Sequence, residues 1–257
     1  MSERISTGGE IWAERGGNEG PLLMLLHGLG ANADVWQGMK PLVEKDWPGR
    51  WIAPDLRGHG RSSHRGPYGY AQHAADMAGL MGQHEEVTIV GHSMGGVVGL
   101  AMATGWYGVK VRHVVAFGMK IRWAPDEVTK LHGLGQAPVK WFASEGEAID
   151  RYLKVSGLFG IVDPVSTAAK SGVRAEGGRY RLASDPCING AAGPEVADFV
   201  RAAKAPFRLA AGARDPMVVC ADMQHFDPAP EIFEGVGHNV HVERPAELWA
   251  FVRRATR

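Results

Sequence analysis

One stretch of the chain, residues 85–105, constrains its fold more than any other. In EEVTIVGHSMGGVVGLAMATG an apolar run ends at Gly91-x-Ser93-x-Gly95, and a pattern of small residues typical of a helix follows at once. The stretch predicts a strand, a sharp turn and a helix, with Ser93 at the apex of the turn. The backbone at such an apex is strained, so the residues two before and two after the serine must be very small, and both are glycine.

A serine at this position has two interpretations. In the first, the turn lifts the hydroxyl clear of the sheet, and the N–H groups that begin the following helix point toward an oxyanion formed beside Ser93. In the second, the turn is an ordinary glycine-rich connection and the serine only caps the helix. A five-residue match does not separate the two, so the rest of the chain must decide between them.

The composition limits what the chain is expected to bind. Its 257 residues include 28 basic and 28 acidic side chains, which is enough chain for one large α/β domain with or without an insertion. Without net charge or a basic run, it lacks the electrostatic features of a protein that binds nucleic acid or an anionic membrane. The N-terminus is polar and the apolar runs have strand length, so we expect no signal peptide, no membrane span and a cytoplasmic location.

Cysteine and histidine spacing favours neither a disulfide framework nor a metal site. Cys187 and Cys220 are the two cysteines of the chain, which fits a reducing compartment. None of the 11 histidines forms a His-x-x-x-His pair with a nearby carboxylate, so we assign no metal. His59 lies between two glycines in a loop, where a structural role is more common than a catalytic one.

Strand and helix patterns alternate along most of the chain. Residues 4–15 predict an N-terminal hairpin. Further strands are predicted at residues 22–26, 50–56, 111–119 and 207–211 and in the segment that precedes His238, with an amphipathic helix at the C-terminus. This alternation predicts an α/β fold with a mostly parallel sheet covered by helices on both faces.

The rhythm changes between residues 120 and 205. Glycines and prolines interrupt amphipathic segments there, so we interpret residues 120–205 as a helical insertion in a core formed by residues 1–119 and 206–257. The insertion carries several aromatic residues that either line a pocket or form a small core of their own, and the core is the more common role: Trp123, Trp141, Phe142, Tyr152 and Phe159.

Three polar residues follow predicted strands directly. Ser93, Asp215 and His238 each lie in such a loop, so a parallel sheet brings all three to the edge where open α/β sheets place their sites. A serine needs a base to become a nucleophile, and the base needs a partner that fixes its tautomer. Each residue alone also has an ordinary turn or loop role, but their joint placement favours a catalytic triad.

The loop His27-Gly28-Leu29-Gly30 also follows a predicted buried strand. In a serine hydrolase this loop must bring a backbone N–H close to the substrate carbonyl, and glycines on either side of Leu29 permit that approach. The alternative is an ordinary turn before a helix that is capped near Asn32 or Asp34.

Together these segments resemble the α/β-hydrolase superfamily, in its serine-nucleophile, carboxylesterase-like branch with a helical cap. The matching segments are HGLG at 27–30, DLRGHGRS at 55–62, GHSMGG at 91–96, GARDPM at 212–217 and GHNVHVERP at 237–245. The resemblance implies that Ser93 is the nucleophile, His238 the base and Asp215 its orienting acid. It also implies an oxyanion hole formed by the N–H groups of Leu29 and Met94, no cofactor, and a cap at 120–205 that covers the substrate pocket.

The resemblance defines the reaction less firmly than the fold, because one fold supports many chemistries. The sharp turn with Ser93 at its apex is called here the elbow. Epoxide hydrolases and haloalkane dehalogenases use an aspartate at this apex, where this chain has Ser93. Carbon–carbon bond hydrolases of aromatic degradation usually have asparagine before the serine and tryptophan after the histidine, and here those positions are His92 and Asn239. We therefore expect a small-molecule ester as substrate, and thioesters and lactones are further candidate substrates. The alternatives are carbon–carbon cleavage, or a small-molecule receptor or scaffold that retains the triad.

Overall fold

The computed structural model of the chain describes residues 2–6, 9–82, 85–191, 193 and 196–257. Its strands are β1 Ser2–Ser6, β2 Glu10–Gly17, β3 Leu22–Leu26, β4 Arg50–Pro54, β5 Glu86–His92, β6 Lys110–Phe117, β7 Val173–Glu176, β8 Arg179–Leu182, β9 Phe207–Gly212 and β10 Glu231–Phe233. Its helices are α1 Lys40–Asp46, α2 Tyr70–Ala78, α3 Met94–Met102, α4 Pro125–Gly135, α5 Glu145–Val155, α6 Thr167–Lys170, α7 Val196–Ala202, α8 Cys220–Gln224, α9 Val240–Glu243 and α10 Pro245–Ala255. Two 3-10 helices lie at Ala33–Trp36 and Pro186–Ala191.

Eight strands form one sheet in the order β1-β2-β4-β3-β5-β6-β9-β10. The first two strands form an antiparallel hairpin and β2 is antiparallel to β4, whereas every other neighbouring pair is parallel. The predicted N-terminal hairpin and the mostly parallel sheet are therefore confirmed, although Thr7 and Gly8 of the hairpin turn lie outside the described residues.

The central strand β3 shows why the sheet is covered on both faces. All five of its residues are buried and apolar. Leu22, Met24 and Leu26 contribute to one hydrophobic cluster, which also contains residues of α2, α3 and α7. Leu23 and Leu25 face the opposite cluster, which contains residues of α1, α5 and α10. A strand whose side chains alternate between two cores must be apolar at every position, and this explains the continuous apolar run.

The order of the strands places a crevice beside β3. The chain adds β4 on one side of β3 and then crosses to add β5 on the other. At such a reversal the loops after the two strands leave toward opposite faces, and a crevice opens at the C-terminal edge of the sheet. Leu29 follows β3 and Ser93 follows β5, so both predicted site segments lie at this crevice.

Residues 120–205 contain α4, α5, α6, α7 and one antiparallel hairpin, β7–β8. The expectation of a purely helical segment was wrong for the hairpin. Its turn, Gly177-Gly178, has both φ values positive, at 57° and 75°, as tight hairpin turns with two central glycines require. In VRAEGGRYRL, two short strand-like segments flank a Gly-Gly pair, and this sequence pattern indicates a hairpin. The division into core and cap itself stays a prediction.

The β7–β8 hairpin is anchored to the loop that carries the DLRGHGRS motif. The N–H of Gly60 donates to the carbonyl of Ala183 at 2.5 Å, and the N–H of Asp185 donates to the carbonyl of Gly58 at 2.8 Å. The Tyr68 hydroxyl reaches the Asp185 carboxylate at 2.7 Å. These contacts fix the position of the chain after β8 over the sheet edge. Within the described part of the chain, no helix is both long and apolar enough to cross a membrane.

Candidate active site

Ser93 occupies a strained turn between β5 and α3. Its φ is 49° and its ψ is −117°, and among the described residues it is the only non-glycine with a positive φ. A Cβ at Gly91 would lie 2.5 Å from the carbonyl oxygen of Gly95, and a Cβ at Gly95 would collide with the carbonyls of Leu26 and His27. Both glycines are therefore required by space, which confirms the strand, sharp turn and helix predicted from the sequence.

The Ser93 hydroxyl does not cap the helix that follows it. Ser93 is the N-cap residue of α3, yet its side chain makes no capping hydrogen bond. Its backbone N–H donates to the carbonyl of Phe117 at 2.8 Å, which ties the turn to the neighbouring strand β6. The simpler interpretation, in which the serine serves only as a helix cap, has no support in this geometry.

Asp215 and His238 form a hydrogen-bonded pair after β9 and β10. Nδ1 of His238 lies 2.8 Å from Oδ2 of Asp215. Because a carboxylate only accepts, the Nδ1–H donates and Nε2 is left as the basic nitrogen. The second carboxylate oxygen accepts the N–H of Met217 at 2.8 Å. The Asp215 side chain is 1% exposed and that of His238 is 21% exposed, so the acid is buried while the imidazole reaches open space.

The other aspartates near Asp215 in sequence are engaged elsewhere. Each pairs with an arginine away from His238: Asp222 with Arg122, Asp227 with Arg208 and Asp198 with Arg201. Asp227 also accepts the backbone N–H of Leu209 at 2.8 Å, so it supports the start of β9 rather than the loop after it.

The loop after β3 approaches Ser93 closely. A Cβ at Gly28 would lie 2.8 Å from Nδ1 of His92 and 3.3 Å from Cβ of Ser93, so only glycine fits here. Leu29 is next in the chain and lines the same cavity as Ser93. Met94 is the first residue of α3, and the N–H groups of a first helical turn have no acceptor inside the helix. Leu29 and Met94 therefore line the cavity that contains Ser93, and the oxyanion hole formed by their N–H groups stays a prediction.

These groups surround a cavity of about 330 Å³, called here the first cavity. Its wall combines the predicted site residues with apolar and aromatic side chains, among them Leu29, Ser93, Met94, His238, Tyr70 and Trp123. Ser93 and His238 both line it but are not hydrogen-bonded to each other. Catalytic hydrogen bonds are often longer before substrate binds, so this geometry is compatible with proton transfer between them.

Two side chains that the sequence did not single out for this purpose hold the His238 loop. Nε2–H of His92 donates to the carbonyl of His238 at 3.0 Å. The amide of Asn239 donates to the carbonyls of Ser156 and Gly157, at 3.2 and 3.0 Å, and so joins the end of α5 to the histidine loop. These are the two positions at which the chain differs from the carbon–carbon hydrolase pattern. Their hydrogen-bond partners could not be identified from the sequence alone.

Buried histidines extend from the site into the protein interior. Burial lowers the pKa of His27, His59, His73 and His241 from the ordinary value to about 3, and it lowers the pKa of His92 well below the ordinary value. Neighbouring histidine rings act in the same direction. These rings are therefore neutral at physiological pH. Nδ1–H of His59 donates to the carbonyl of Arg57 at 3.0 Å, and His59 does not line the first cavity, in keeping with a structural role.

We expect mild acid to unfold the protein because of these histidines. Each one has a lower pKa folded than unfolded, so the unfolded state binds more protons, and stability falls as the pH drops from about 6.5 toward 3. Each contributes about 1.4 kcal/mol per pH unit in that window, and four together approach the whole stability of a typical domain within one to two units. Urea unfolding between pH 7.5 and 5 measures the slope.

The substitution His73→Phe tests the origin of this slope. Neither ring nitrogen of His73 has a hydrogen-bond partner among the described residues, so phenylalanine removes one titrating group without orphaning a partner. The slope should fall by about 1.4 kcal/mol per pH unit in His73→Phe relative to the parent protein. Equal slopes in the variant and the parent would contradict the assignment.

Metal-ligand geometry is missing from the described residues, where no group of three or more His, Cys, Asp or Glu side chains could hold an ion. Cys187 and Cys220 are free and exposed. The absence of a metal and of a cofactor stays a prediction.

Comparison with solved structures identifies the fold. The chain is similar to E-2-(acetamidomethylene)succinate hydrolase, with a TM-score of 0.80, 22% identity and coverage of 99% of this chain and 98% of that one. It is also similar to the thioesterase domain of the curacin biosynthetic pathway, with a TM-score of 0.79, 20% identity and coverage of 98% and 99%. An esterase of Mycobacterium tuberculosis gives a TM-score of 0.76 at 23% identity, over 99% of this chain and 91% of that one. At these identities the likeness concerns the fold alone.

Sequence relatives match shorter segments. The chain is 41% identical to the magnesium-chelatase 30 kDa subunit of Rhodobacter capsulatus over 95 residues, which is 35% of this chain and 32% of that protein. It is 34% identical to a serine hydrolase-like protein of Danio rerio over 128 residues, 48% of this chain and 37% of that protein. The chain thus spans about a third of the length of these relatives. A family model gives the broader match, and because it covers residues 23–251, the chain belongs to the alpha/beta hydrolase family.

Proposed function

We propose that the chain is a carboxylesterase-like serine hydrolase that cleaves a small carboxylic ester through an acyl-enzyme on Ser93. Membership of the alpha/beta hydrolase family indicates a hydrolase. The observation that carries the finer proposal is the Asp215–His238 pair at 2.8 Å, whose imidazole shares the first cavity with a serine held at the apex of a strained elbow.

In the proposed mechanism, Ser93 Oγ attacks the ester carbonyl carbon while Nε2 of His238 takes its proton. The buried Asp215 carboxylate accepts Nδ1–H and stabilises the imidazolium that forms. The oxyanion of the tetrahedral intermediate accepts hydrogen bonds from the N–H groups of Leu29 and Met94. His238 then returns the proton to the departing alcohol. Water repeats the sequence on the acyl-enzyme and releases the acid.

The proposal includes the division of the chain. Residues 1–119 and 206–257 form the hydrolase core, and residues 120–205 form a cap over the first cavity. Trp123 and Leu131 of this segment line the cavity, which supports a role of the cap in substrate binding. α7 is the exception, because Val196 and Val200 pack in the same cluster as Val97 and Leu100 of α3, so the end of the segment is built into the core.

Covalent labelling tests the nucleophile directly. We expect an aryl organophosphonate to add one equivalent to the protein, because a hydroxyl beside a base and two oxyanion donors is activated toward such reagents. Intact-mass spectrometry measures the adduct, and peptide mapping should place it on Ser93. The adduct should be absent in Ser93→Ala. An unlabelled protein, under conditions that label a control esterase, would instead favour the receptor or scaffold alternative.

Kinetic assays on the same purified protein distinguish ester hydrolysis from carbon–carbon cleavage. We expect a short-chain aryl ester to be hydrolysed with a far higher kcat/KM than a dienone carbon–carbon substrate. His92 and Asn239 support this direction, because both side chains are committed to backbone carbonyls of neighbouring loops. A large preference for the dienone would overturn the ester assignment.

A further inference from the structure

A second cavity of about 420 Å³ adjoins the first. Its wall is formed by the end of α4, the outer face of α5, the end of β8 and the 3-10 helix that starts at Pro186. Most of its lining is apolar, with Leu134, Val139, Phe142, Leu182 and Ile188 as the larger side chains. The nucleophile, base and acid of the proposed mechanism do not line this cavity. The bond-breaking step therefore assigns no role to it.

The two cavities meet at the oxyanion loop. Leu29, Leu131 and Val155 line both of them. If the Leu29 N–H holds the substrate carbonyl oxygen, the carbonyl carbon lies close to this junction. The acyl and alcohol halves of an ester leave the carbonyl carbon in different directions, so one half can occupy the first cavity while the other extends past Leu29.

We propose that the second cavity binds one half of the substrate, an apolar chain of medium length whose far end is anionic rather than cationic. This inference rests on the proposed function for the position of the carbonyl, but the second cavity itself is a property of the fold. It makes the substrate larger than the small ester that the first cavity alone would hold, since each cavity by itself has the volume of a small-molecule site.

The charges around the second cavity define the polarity of that far end. Lys140 and Arg151 line the cavity, and no aspartate or glutamate does. Neither cation has a carboxylate partner among the described residues, and the Lys140 ammonium lies 5.3 Å from the centre of the Phe142 ring. An anionic group at the end of an apolar chain gains from these two charges, whereas a cationic group is repelled.

Chain length is tested with two series of esters. In one, p-nitrophenyl esters carry acetyl, butanoyl, hexanoyl or octanoyl groups; in the other, acetate is esterified to alcohols of the same lengths and acid release is measured. We expect kcat/KM to rise at least tenfold with length in one of the two series, because each buried methylene contributes roughly fourfold. The series that rises identifies the half that the cavity holds. A flat response in both series would overturn the proposal.

The substitution Ala137→Trp places a large ring in the second cavity from its exposed edge. In the series whose rate rises with length, it should abolish the advantage of long chains and leave hydrolysis of the shortest ester of that series within about twofold. The matched control is Val165→Trp, because Val165 is 71% exposed and lines neither cavity. Retention of the full length preference in Ala137→Trp would contradict the assignment of this cavity.

Binding to the Ser93→Ala protein tests the charge without any turnover. Calorimetry compares suberate with 8-aminooctanoate, two acids of equal length whose far ends carry opposite charges. We expect suberate to bind at least tenfold more tightly at low salt, with the ratio reduced several-fold by Arg151→Glu and unchanged by Lys170→Glu, an exposed cation outside both cavities. Equal binding of the two acids would overturn the anionic preference.

The experiments separate a failure of this inference from a failure of the proposed function. If the phosphonate labels Ser93 but length and end charge have no effect, the hydrolase stands and the second cavity does not bind substrate. If no adduct forms but Ala137→Trp still weakens suberate binding to the Ser93→Ala protein at least tenfold, the cavity binds its ligand and the serine chemistry is wrong.

Discussion

Replacement of Ser93 by alanine should reduce kcat on p-nitrophenyl acetate by about 10⁴- to 10⁶-fold, the range expected when a serine hydrolase loses its nucleophile. The loss is this large because the base and its acid have nothing to activate once the hydroxyl is gone, and only the oxyanion donors and binding remain. Alanine keeps the Cβ, so the strain at a φ of 49° is unchanged and the melting temperature should stay close to that of the parent. Stopped assays at high enzyme concentration measure the residual rate.

Ser156→Ala is the matched control for this variant. Ser156 lines the same cavity, but its hydroxyl donates to the carbonyl of Tyr152 at 2.7 Å and takes no part in the proposed reaction. Its loss of kcat should stay below about tenfold. If Ser93→Ala kept more than about one per cent of parental activity while remaining folded, the nucleophile would lie elsewhere and the acyl-enzyme mechanism would be wrong.

The elbow and the sheet were predictable from sequence because their determinants are local. The apolar run before Gly91, the two glycines and the small residues after Ser93 define a strand, turn and helix within a single short segment. The alternation of strands and helices then determines a parallel sheet, whose geometry places every loop after a strand at the same edge. The meeting of Asp215 and His238, 23 residues apart, follows from that rule.

The second cavity and the contacts around the His238 loop were not predictable in the same way. The donor from His92 reaches a carbonyl 146 residues away, and Asn239 joins the loop after β10 to the end of α5. Such contacts depend on how the segment at 120–205 sits on the sheet edge, and periodicity carries no information about that placement. The β7–β8 hairpin, by contrast, had a local signal in its Gly-Gly turn that the helical interpretation overlooked.

Conversion of Asp215 to asparagine should lower kcat by roughly 10²–10⁴ with a near-native melting temperature. Both carboxylate oxygens accept a hydrogen bond, one from the backbone N–H of Met217 and the other from Nδ1–H of His238, each at 2.8 Å. An asparagine has a single acceptor oxygen, so its NH₂ group must face one of these two donors. The Met217 N–H cannot move its proton, whereas imidazole can change tautomer.

The asparagine oxygen should therefore keep the Met217 bond, and its NH₂ group should donate to Nδ1 of His238. The imidazole then carries its proton on Nε2, the nitrogen that must accept the proton of Ser93, and it also loses the charge that stabilises the imidazolium. Because labelling of the serine needs the same base, the rate of phosphonate addition should fall together with kcat. A loss confined to KM would instead indicate a role in binding.

Asp222→Asn is the control, because Asp222 lies in α8 and pairs with Arg122 at 3.1 Å, away from His238. Its kcat should change by less than about tenfold, as expected for a surface ion pair. Should Asp215→Asn retain most of its activity while Asp222→Asn loses it, the orienting acid would be misassigned. The 2.8 Å contact between Asp215 and His238 would then be a structural pair that holds the loop after β10 against the loop after β9.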